Sequence, residues 1–252
     1  MYSDCSLRIS ILQSNYVPWV GFFHLIASSD AVVVLDSVQF TKNDWRNRNR
    51  IVGPNGPFWL TIPIRRPAKL STPIDQITVA GHEWSQNHLK SIVASLKKRP
   101  YWKQHEASIL TAYESVGKMG LLTDINVTFM RTLMKQMTIE TPLVSDRSLG
   151  SLPIDPNSRL ITLCHRLGAN TYLTGPAGMN YLKLRDFQRH GLNIQIFQYS
   201  AYGPYEQTCS NFTREVSVLD FLANNSPNVV RQTLKQVHID DMRQTILRPR
   251  QG

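Results

Sequence analysis

Polar and aromatic side chains follow two apolar segments near the N-terminus of this sequence. Amides and aromatic residues come directly after residues 9–12, and an acid, an amide and alternating arginines come after residues 31–35. We predict that the first group binds substrate; it consists of Gln13, Asn15, Tyr16 and Trp19. Small-molecule sites combine aromatic walls with a few placed polar groups, so this pattern indicates a ligand-binding loop. The alternative is a tight strand-to-helix turn with Trp19 as an anchor in the core.

Asp36 follows the second apolar segment directly. A carboxylate at such a strand end can hold an ammonium group or accept a proton during general base catalysis. We therefore predict that Asp36 is catalytic. Gln39 and Asp44 lie further along the same polar stretch, and we predict that both bind substrate. For Asp44 the alternative is an ion pair with a neighbouring arginine.

Arginines alternate with asparagines over residues 46–50. In extended chain, the arginines would share one face and the asparagines the other. The planar guanidinium group captures carboxylate or phosphate through two parallel hydrogen bonds. A basic surface strand is the alternative interpretation. The predicted roles are catalysis for Arg48 and Asn47, and substrate binding for Trp45, Arg46 and Arg50.

A second candidate loop follows residues 171–174 and contains Gly175, Gly178 and Asn180. It is similar to a phosphate-binding loop, but it has neither the GxGxxG spacing nor the Lys-Ser/Thr pair of a P-loop. We predict that these three residues bind substrate. The histidines and cysteines show no HxxxH, HxH or CxxC spacing, so we predict no metal centre.

The charge balance leaves several partners open. The net charge is +10, from 28 Lys and Arg against 18 Asp and Glu. Basic clusters attract phosphate groups, whether in a nucleotide or in an RNA backbone, and a solvated basic surface is the alternative. We predict a small substrate that is anionic or nucleotide-linked. tRNA as a partner and ATP with Mg²⁺ as a cofactor stay open, and the oligomeric state is not predicted.

Other global features indicate the compartment. Three scattered cysteines favour reduced thiols, and the N-terminus lacks the basic and apolar regions of a signal peptide. No segment approaches the roughly 20 apolar residues of a membrane span. We predict a cytoplasmic protein.

The predicted elements place both candidate loops at strand ends. The pattern predicts strands at 9–12, 31–35, 59–64, 74–79, 171–174 and 193–199, and helical stretches at 20–29, 84–137, 160–168 and 216–223. Strand–helix–strand units of this length form parallel pairs with right-handed crossovers. The predicted fold class is therefore α/β, a mostly parallel sheet flanked by helices, with a helical middle segment.

The same pattern suggests a division of the chain. We predict an N-terminal α/β region with the helical segment over residues 1–150. Residues 151–235 would form a C-terminal α/β region that completes the same core, and residues 236–252 would form a peripheral tail.

Taken together, these segments resemble the WbqC-like family of bacterial proteins. The resemblance runs in order over about residues 9–225, and the matching stretches are 11–23, 35–40, 44–51, 55–57, 59–63, 171–178 and 217–222. Family members are often encoded among genes for surface-polysaccharide (O-antigen) synthesis, and a glycine transferase role has been suggested for them. The family often carries a His-Gln-Pro or similar triplet where this chain has Leu12-Gln13-Ser14. If the family's histidine is catalytic, its role is not filled by Leu12.

The resemblance implies an acyl- or aminoacyl-transferring enzyme that acts on a small amine or amino-sugar in a bacterial biosynthetic pathway. Such chemistry needs an activated carboxyl group, an incoming amine and donors that stabilise an oxyanion. Two alternatives remain: a non-catalytic binding or assembly partner in a biosynthetic complex, and a transferase that takes its aminoacyl group from charged tRNA.

Overall fold

The computed structural model describes residues 7–67, 69, 71–199, 202–209 and 211–242. Its strands are β1 (Arg8–Leu12), β2 (Ala31–Val34), β3 (Arg48–Gly53), β4 (Gly56–Thr61), β5 (Leu143–Ser145), β6 (Thr171–Thr174), β7 (Asn193–Phe197) and β8 (Ile239–Asp241). Its α-helices are α1 (Val20–Ala27), α2 (Glu83–Leu96), α3 (Trp102–Val116), α4 (Leu122–Gln136), α5 (Pro156–Arg166), α6 (Leu184–Arg189), α7 (Val218–Asn224) and α8 (Pro227–Lys235).

Six of these strands form one sheet, in the order β5-β2-β1-β6-β7-β8. Every pair is parallel except β7 with β8, which is antiparallel. The predicted fold class, a mostly parallel α/β sheet flanked by helices, is confirmed. The chain leaves β1 toward β2 on one side and leaves β6 toward β7 on the other. Ligands of open α/β sheets bind beyond the carboxyl ends of strands at such a reversal.

Both faces of the sheet are buried, which explains the continuous apolar strands. Because side chains alternate along a strand, Val32 and Val34 pack with α1 and the middle helices, whereas Val33 packs with α5 and α6. The helical middle segment α2–α4 therefore builds its core on one face alone. This arrangement leaves the carboxyl ends of β1, β2 and β5 beside the N-terminal half of α4.

Strands β3 and β4 form a separate antiparallel hairpin that turns at residues 54–55, and Gly56 directly after the turn has a φ of 105°. Asn47 and Asn49 are buried, while Arg48 and Arg50 are partly exposed. The side-chain amide of Asn49 donates to the carbonyls of Tyr16 at 3.2 Å and Val17 at 2.9 Å. The buried asparagine face thus fixes the loop after β1.

The predicted strand at residues 74–79 is wrong. Residues Ile74–Gln76 form a 3₁₀ turn, and Val79 makes only an isolated bridge to Ile64. The β-branched residues of this segment suggested a strand, but Pro73 opens the turn and the Asp75 N–H donates to the Asp36 carbonyl at 3.0 Å. The segment therefore closes the loop after β2 instead of joining a sheet.

The C-terminal residues add a short edge strand. Residues 239–241, inside the predicted tail, pair with β7 as β8, and residues 243–252 of that tail lie outside the described part of the chain. The division into regions 1–150, 151–235 and 236–252 stays a prediction. Within the described residues, no helix combines the length and apolar character that crossing a membrane requires.

Candidate functional site

Asp36 joins the carboxyl ends of β1 and β2. Its carboxylate, 3% exposed, accepts hydrogen bonds from the Ser14 N–H at 2.8 Å and from the Thr123 hydroxyl. Asp146, also buried, accepts from the backbone N–H groups of Asp36 and Ser37. Burial raises the pKa of Asp36, the hydrogen bonds from Ser14 and Thr123 oppose that shift, and the nearby Asp146 adds to it. A carboxyl group with a raised pKa is a better proton acceptor near neutral pH.

A cavity of about 480 Å³ opens beside Asp36, beyond the ends of β2 and β5. We call it the β2–β5 cavity; its polar lining consists of Asp36, Asp75, Thr123, Asp124, Thr128, Arg131, Ser145, Asp146 and Arg147. Arg147 is engaged by Asp75, to which its Nη2 donates at 3.1 Å. Arg131 has no ion pair within the described part of the chain. The cavity therefore presents carboxylates and a free guanidinium group to the same volume.

The charge of Asp36 acts on Arg46, whose side chain is only 15% exposed. Its Nε donates to Gln13 Oε1 at 2.7 Å, its Nη1 donates to Asn15 Oδ1, and Asp44 lies 3.6 Å away. Burial lowers the pKa of Arg46, and the charges of Asp44 and Asp36 oppose that shift. One largely buried guanidinium group is thus surrounded by three predicted substrate-binding residues, Gln13, Asn15 and Asp44. Its observed partners all belong to the protein.

Asn126 connects this arrangement to α4. Its amide donates to the Ser14 hydroxyl at 3.1 Å and to the Arg46 carbonyl at 2.9 Å, and its Oδ1 has no partner among the described residues. Sequence reasoning missed this residue because it lies within the apolar pattern of α4. The available signal was an amide on the helix face that carries Leu122, Ile125 and Phe129.

A second cavity, of about 330 Å³, lies beyond β1. We call it the indole cavity; it is lined by Asn15, Pro18, Trp19, Trp45, Asn49, Arg214 and Glu215. Three backbone hydrogen bonds hold its walls together. The Tyr16 N–H donates to Trp45 at 3.0 Å, Ser217 to Arg50 at 2.8 Å and Val218 to Pro18 at 2.8 Å.

The outer face of the hairpin adjoins the indole cavity. Arg48 places Cζ 4.2 Å from the ring centroid of Trp59, and Arg50 lies 5.4 Å from the same centroid. The rings of Trp45 and Trp59 are 5.4 Å apart, so Trp45 belongs to both features. Arg50 is paired with Glu215 at 2.5 Å, and Arg48 donates to the Asn43 carbonyl at 2.7 Å. A surface of stacked guanidinium and indole groups results.

Three further candidates of the N-terminal half, Tyr16, Asn47 and Gln39, make their observed contacts within the protein. Tyr16 is fully buried, and its hydroxyl contacts Tyr113 at 2.5 Å and His88 Nδ1 at 2.8 Å. The buried amide of Asn47 donates to the Ile62 carbonyl at 2.9 Å. Gln39 is exposed and bridges to Pro73. The observed contacts of Tyr16 and Asn47 position the loops around the cavities.

Packing accounts for both glycines of the loop after β6. A Cβ on Gly175 would lie 2.6 Å from the Tyr199 hydroxyl, and one on Gly178 would lie 2.7 Å from Thr174. Tyr199 in turn packs against Trp19, with ring centroids 5.0 Å apart. Asn180 ends the 3₁₀ turn of this loop and is exposed. The loop therefore supports the indole cavity through Tyr199.

Among the described residues, no group of three or more His, Cys, Asp and Glu is placed to hold a metal ion.

Comparison with known proteins assigns the chain to a family. Residues 13–232 match the WbqC-like protein family. The chain belongs to this family. It is similar to Rv1507c, described as an uncharacterized protein, of Mycobacterium tuberculosis (strain ATCC 25618 / H37Rv), with 30% identity over 219 residues, or 86% of this chain and 93% of that protein. No solved structure matches the chain.

The segment matched to the WbqC-like family contains every residue that lines the two cavities. Several of these residues were not candidates from sequence: Thr123, Asp124, Arg131, Asp146, Arg147 and Arg214. They come from α4, from the turn after β5 and from the segment before α7, which only the tertiary fold brings to the strand ends. Arg131 and Arg214 carried no local signal beyond their charge.

Proposed function

We propose that this WbqC-like chain is an enzyme that transfers an acyl or aminoacyl group, such as glycyl, to the amine of a small molecule such as an amino-sugar. A bacterial pathway of the surface-polysaccharide type would use the product. The observation that carries the proposal is the buried Asp36 carboxylate in the β2–β5 cavity, at the carboxyl end of β2 and with a raised pKa.

The β2–β5 cavity has the charge pattern that an amino acid requires. Asp36, Asp124 and Asp146 offer carboxylates to an ammonium group, and Arg131 offers a guanidinium group to a carboxylate or to a carbonyl that becomes negatively charged. The volume of about 480 Å³ falls within the usual range for small-molecule sites, roughly 300–1,000 Å³. We propose that it holds the aminoacyl group together with a small amine acceptor.

In the proposed step, the nitrogen of the acceptor amine forms a bond to the activated carbonyl carbon. The bond from that carbon to the leaving group then breaks, and a proton of the amine passes to the ionised Asp36 carboxylate. Arg131 stabilises the oxyanion that forms before the leaving group departs. The leaving group carries away the electron pair of the broken bond.

The remaining candidates are assigned by their contacts. Arg46, held by Gln13 and Asn15, fixes the loops on either side of Asp36 and adds positive charge to this region. Asn47 and Tyr16 are positioning residues, since their polar groups bind within the protein. We assign Arg48, Trp45 and Arg50 to binding of the activated donor.

The experiment combines ligand binding with product analysis. Purified protein is screened by thermal shift against glycine, other amino acids and nucleotide-linked amino-sugars, and mixtures with ATP and Mg²⁺ or with glycyl-tRNA are analysed by mass spectrometry for an amide product. We expect one amino acid or amine to stabilise the protein and an amide to form, with both lost in Asp36→Asn and kept in the control Asp186→Asn on α6. A wild-type protein that gives no amide with any donor while binding these ligands would overturn the enzyme proposal in favour of a binding or assembly partner.

A further inference from the structure

The indole cavity shares no lining residue with the β2–β5 cavity. We infer that it binds a nucleoside phosphate: its indoles contact the base, and the arginines around it contact the phosphate. The role of that nucleotide as the leaving part of the activated donor rests on the proposed function. Binding of the nucleotide does not, and it can be measured without turnover.

The aromatic lining fits a planar base. Trp19 and Trp45 both line the cavity. The Trp45 ring also packs against Trp59, which is 44% exposed. Indole rings stack on nucleobases of any sequence because every base has a π-face. The Asn15 Oδ1 accepts from Arg46, whereas its Nδ2 has no partner within the described residues. That N–H group is free to donate to an acceptor on the base edge.

Positive charge surrounds the same cavity. Arg214 lines it, is exposed and has no ion pair in the part of the chain that the structure describes. Arg48 stacks on Trp59, and its buried Nε lacks a hydrogen-bond partner among the described residues. Glu215 is already engaged by Arg50. Guanidinium groups match the oxygen geometry of phosphate, so this excess favours an anionic ligand over a neutral sugar.

The walls of the cavity are preorganised. Backbone hydrogen bonds join the loop after β1 to Trp45 and to the segment before α7, and Asn49 holds the carbonyls of Tyr16 and Val17. Val17 is fully buried with a φ of 36°, a conformation that a β-branched residue adopts only when its surroundings enforce it. A rigid wall reduces the entropy lost when a ligand binds.

Two sources offer this ligand chemistry: a free nucleotide such as ATP or an aminoacyl-adenylate, and the terminal nucleotide of a charged RNA. The probes are therefore AMP, ATP, ribose 5-phosphate, inorganic phosphate and a short single-stranded RNA, each titrated against the intact protein while tryptophan fluorescence is recorded. AMP should quench the fluorescence and bind at least about tenfold tighter than ribose 5-phosphate, because only AMP carries a base to stack.

Variants locate the site. Trp45→Leu should weaken AMP binding about tenfold, Trp45→Phe should retain most of it, and Arg214→Gln should weaken it and reduce its salt dependence. Arg189→Gln is the matched control for the lost charge, because the Arg189 side chain on α6 is 77% exposed and lines neither cavity. Thermal unfolding and circular dichroism confirm that each variant is folded. Equal affinity for AMP and ribose 5-phosphate, or unchanged AMP binding in folded Trp45→Leu, would overturn the inference.

The remaining outcomes separate the sources and the two proposals. Tighter binding of RNA than of ATP, with affinity falling steeply as salt rises, would identify a charged RNA as the source, and the reverse order would identify a free nucleotide. Asp36→Asn should still bind AMP although it should not transfer. If the wild-type protein binds AMP but never forms an amide, the nucleotide site is supported and the proposed transferase function is contradicted.

Discussion

The backbone N–H of Ser14 donates to the Asp36 carboxylate at 2.8 Å, which ties the carboxyl end of β1 to that of β2. The Ser14 hydroxyl accepts from Asn126, and the same amide reaches the Arg46 carbonyl. One buried carboxylate and one buried amide therefore set the relative positions of the two cavities. A change at Asp36 should affect chemistry directly, whereas a change at Asn126 should affect it through geometry.

Asp36→Asn should slow transfer strongly while leaving the protein folded. The side chain keeps its shape, and its Oδ1 can still accept from the Ser14 N–H, but an amide cannot accept the proton of the amine. General base catalysis contributes about 10²–10⁴-fold, so the rate of amide formation should fall by at least about 100-fold. Mass spectrometry measures the rate and urea unfolding measures the stability. A rate within threefold of wild type would rule out Asp36 as the base.

The pH dependence of stability should change in the same variant. Since burial raises the pKa of Asp36, the protonated carboxyl group is favoured more in the folded protein than in the unfolded chain. The protonated Asp36 therefore adds to the free energy of unfolding. This contribution is present below the unfolded pKa, near 4, and is lost as the pH rises through the folded pKa. Wild type should therefore lose stability relative to Asp36→Asn between about pH 4 and that folded pKa. Parallel curves from urea unfolding over this range would contradict the raised pKa.

The sequence predicted the central strands because buried parallel strands are nearly continuous apolar runs, as at residues 9–12 and 31–35. It also predicted the two faces of the arginine–asparagine stretch, since the period of a strand is two. Strands β5 and β8 are three residues each and too short to show a pattern. Asp146 and Asn126 lie about a hundred residues from their partners Asp36 and Ser14, and no local signal reports such contacts.

Asn126→Ala should destabilise the protein and weaken transfer together. The change removes two hydrogen bonds donated by a fully buried side chain. The Arg46 carbonyl and the Ser14 hydroxyl each lose the Asn126 amide as a donor. The expected cost is about 1–3 kcal/mol in the free energy of unfolding. Asn87→Ala, exposed on α2, is the matched control and should change stability by less than about 0.5 kcal/mol. Equal effects of the two changes in urea unfolding would contradict the positioning role of Asn126.

His24 should make the protein less stable in mild acid. It is fully buried on α1, its Nδ1 contacts the Tyr202 hydroxyl at 2.7 Å, and burial lowers its pKa to about 4. A lowered histidine pKa gives stability that is present above the unfolded pKa of about 6.5 and lost as the pH falls toward 4. The loss attributable to His24 should reach about 3 kcal/mol by pH 4.

The comparison with His24→Gln isolates that loss, because the buried His88, also with a pKa of about 4, titrates in both proteins. Urea unfolding of the variant should show a shallower decrease between pH 6.5 and 4. Identical slopes in the two proteins would show that His24 is protonated equally in the folded and unfolded states.

Gly21→Ala should perturb the indole cavity from inside α1. Alanine favours a helix over glycine by about 1 kcal/mol, but a Cβ at this position would lie 2.4 Å from the Trp19 indole. The indole must therefore move from its place against Tyr199 and Tyr202, with which it packs at 5.0 and 5.6 Å. We expect lower thermal stability, a shifted tryptophan emission spectrum and weaker AMP binding.

Gly120→Ala is the control, since a Cβ there has no atom within 4 Å. The double variant Gly21→Ala/Trp19→Leu should recover thermal stability without recovering AMP binding, because it removes the clash together with the stacking surface. A single Gly21→Ala variant that binds AMP with wild-type affinity would show that Trp19 does not contact the base.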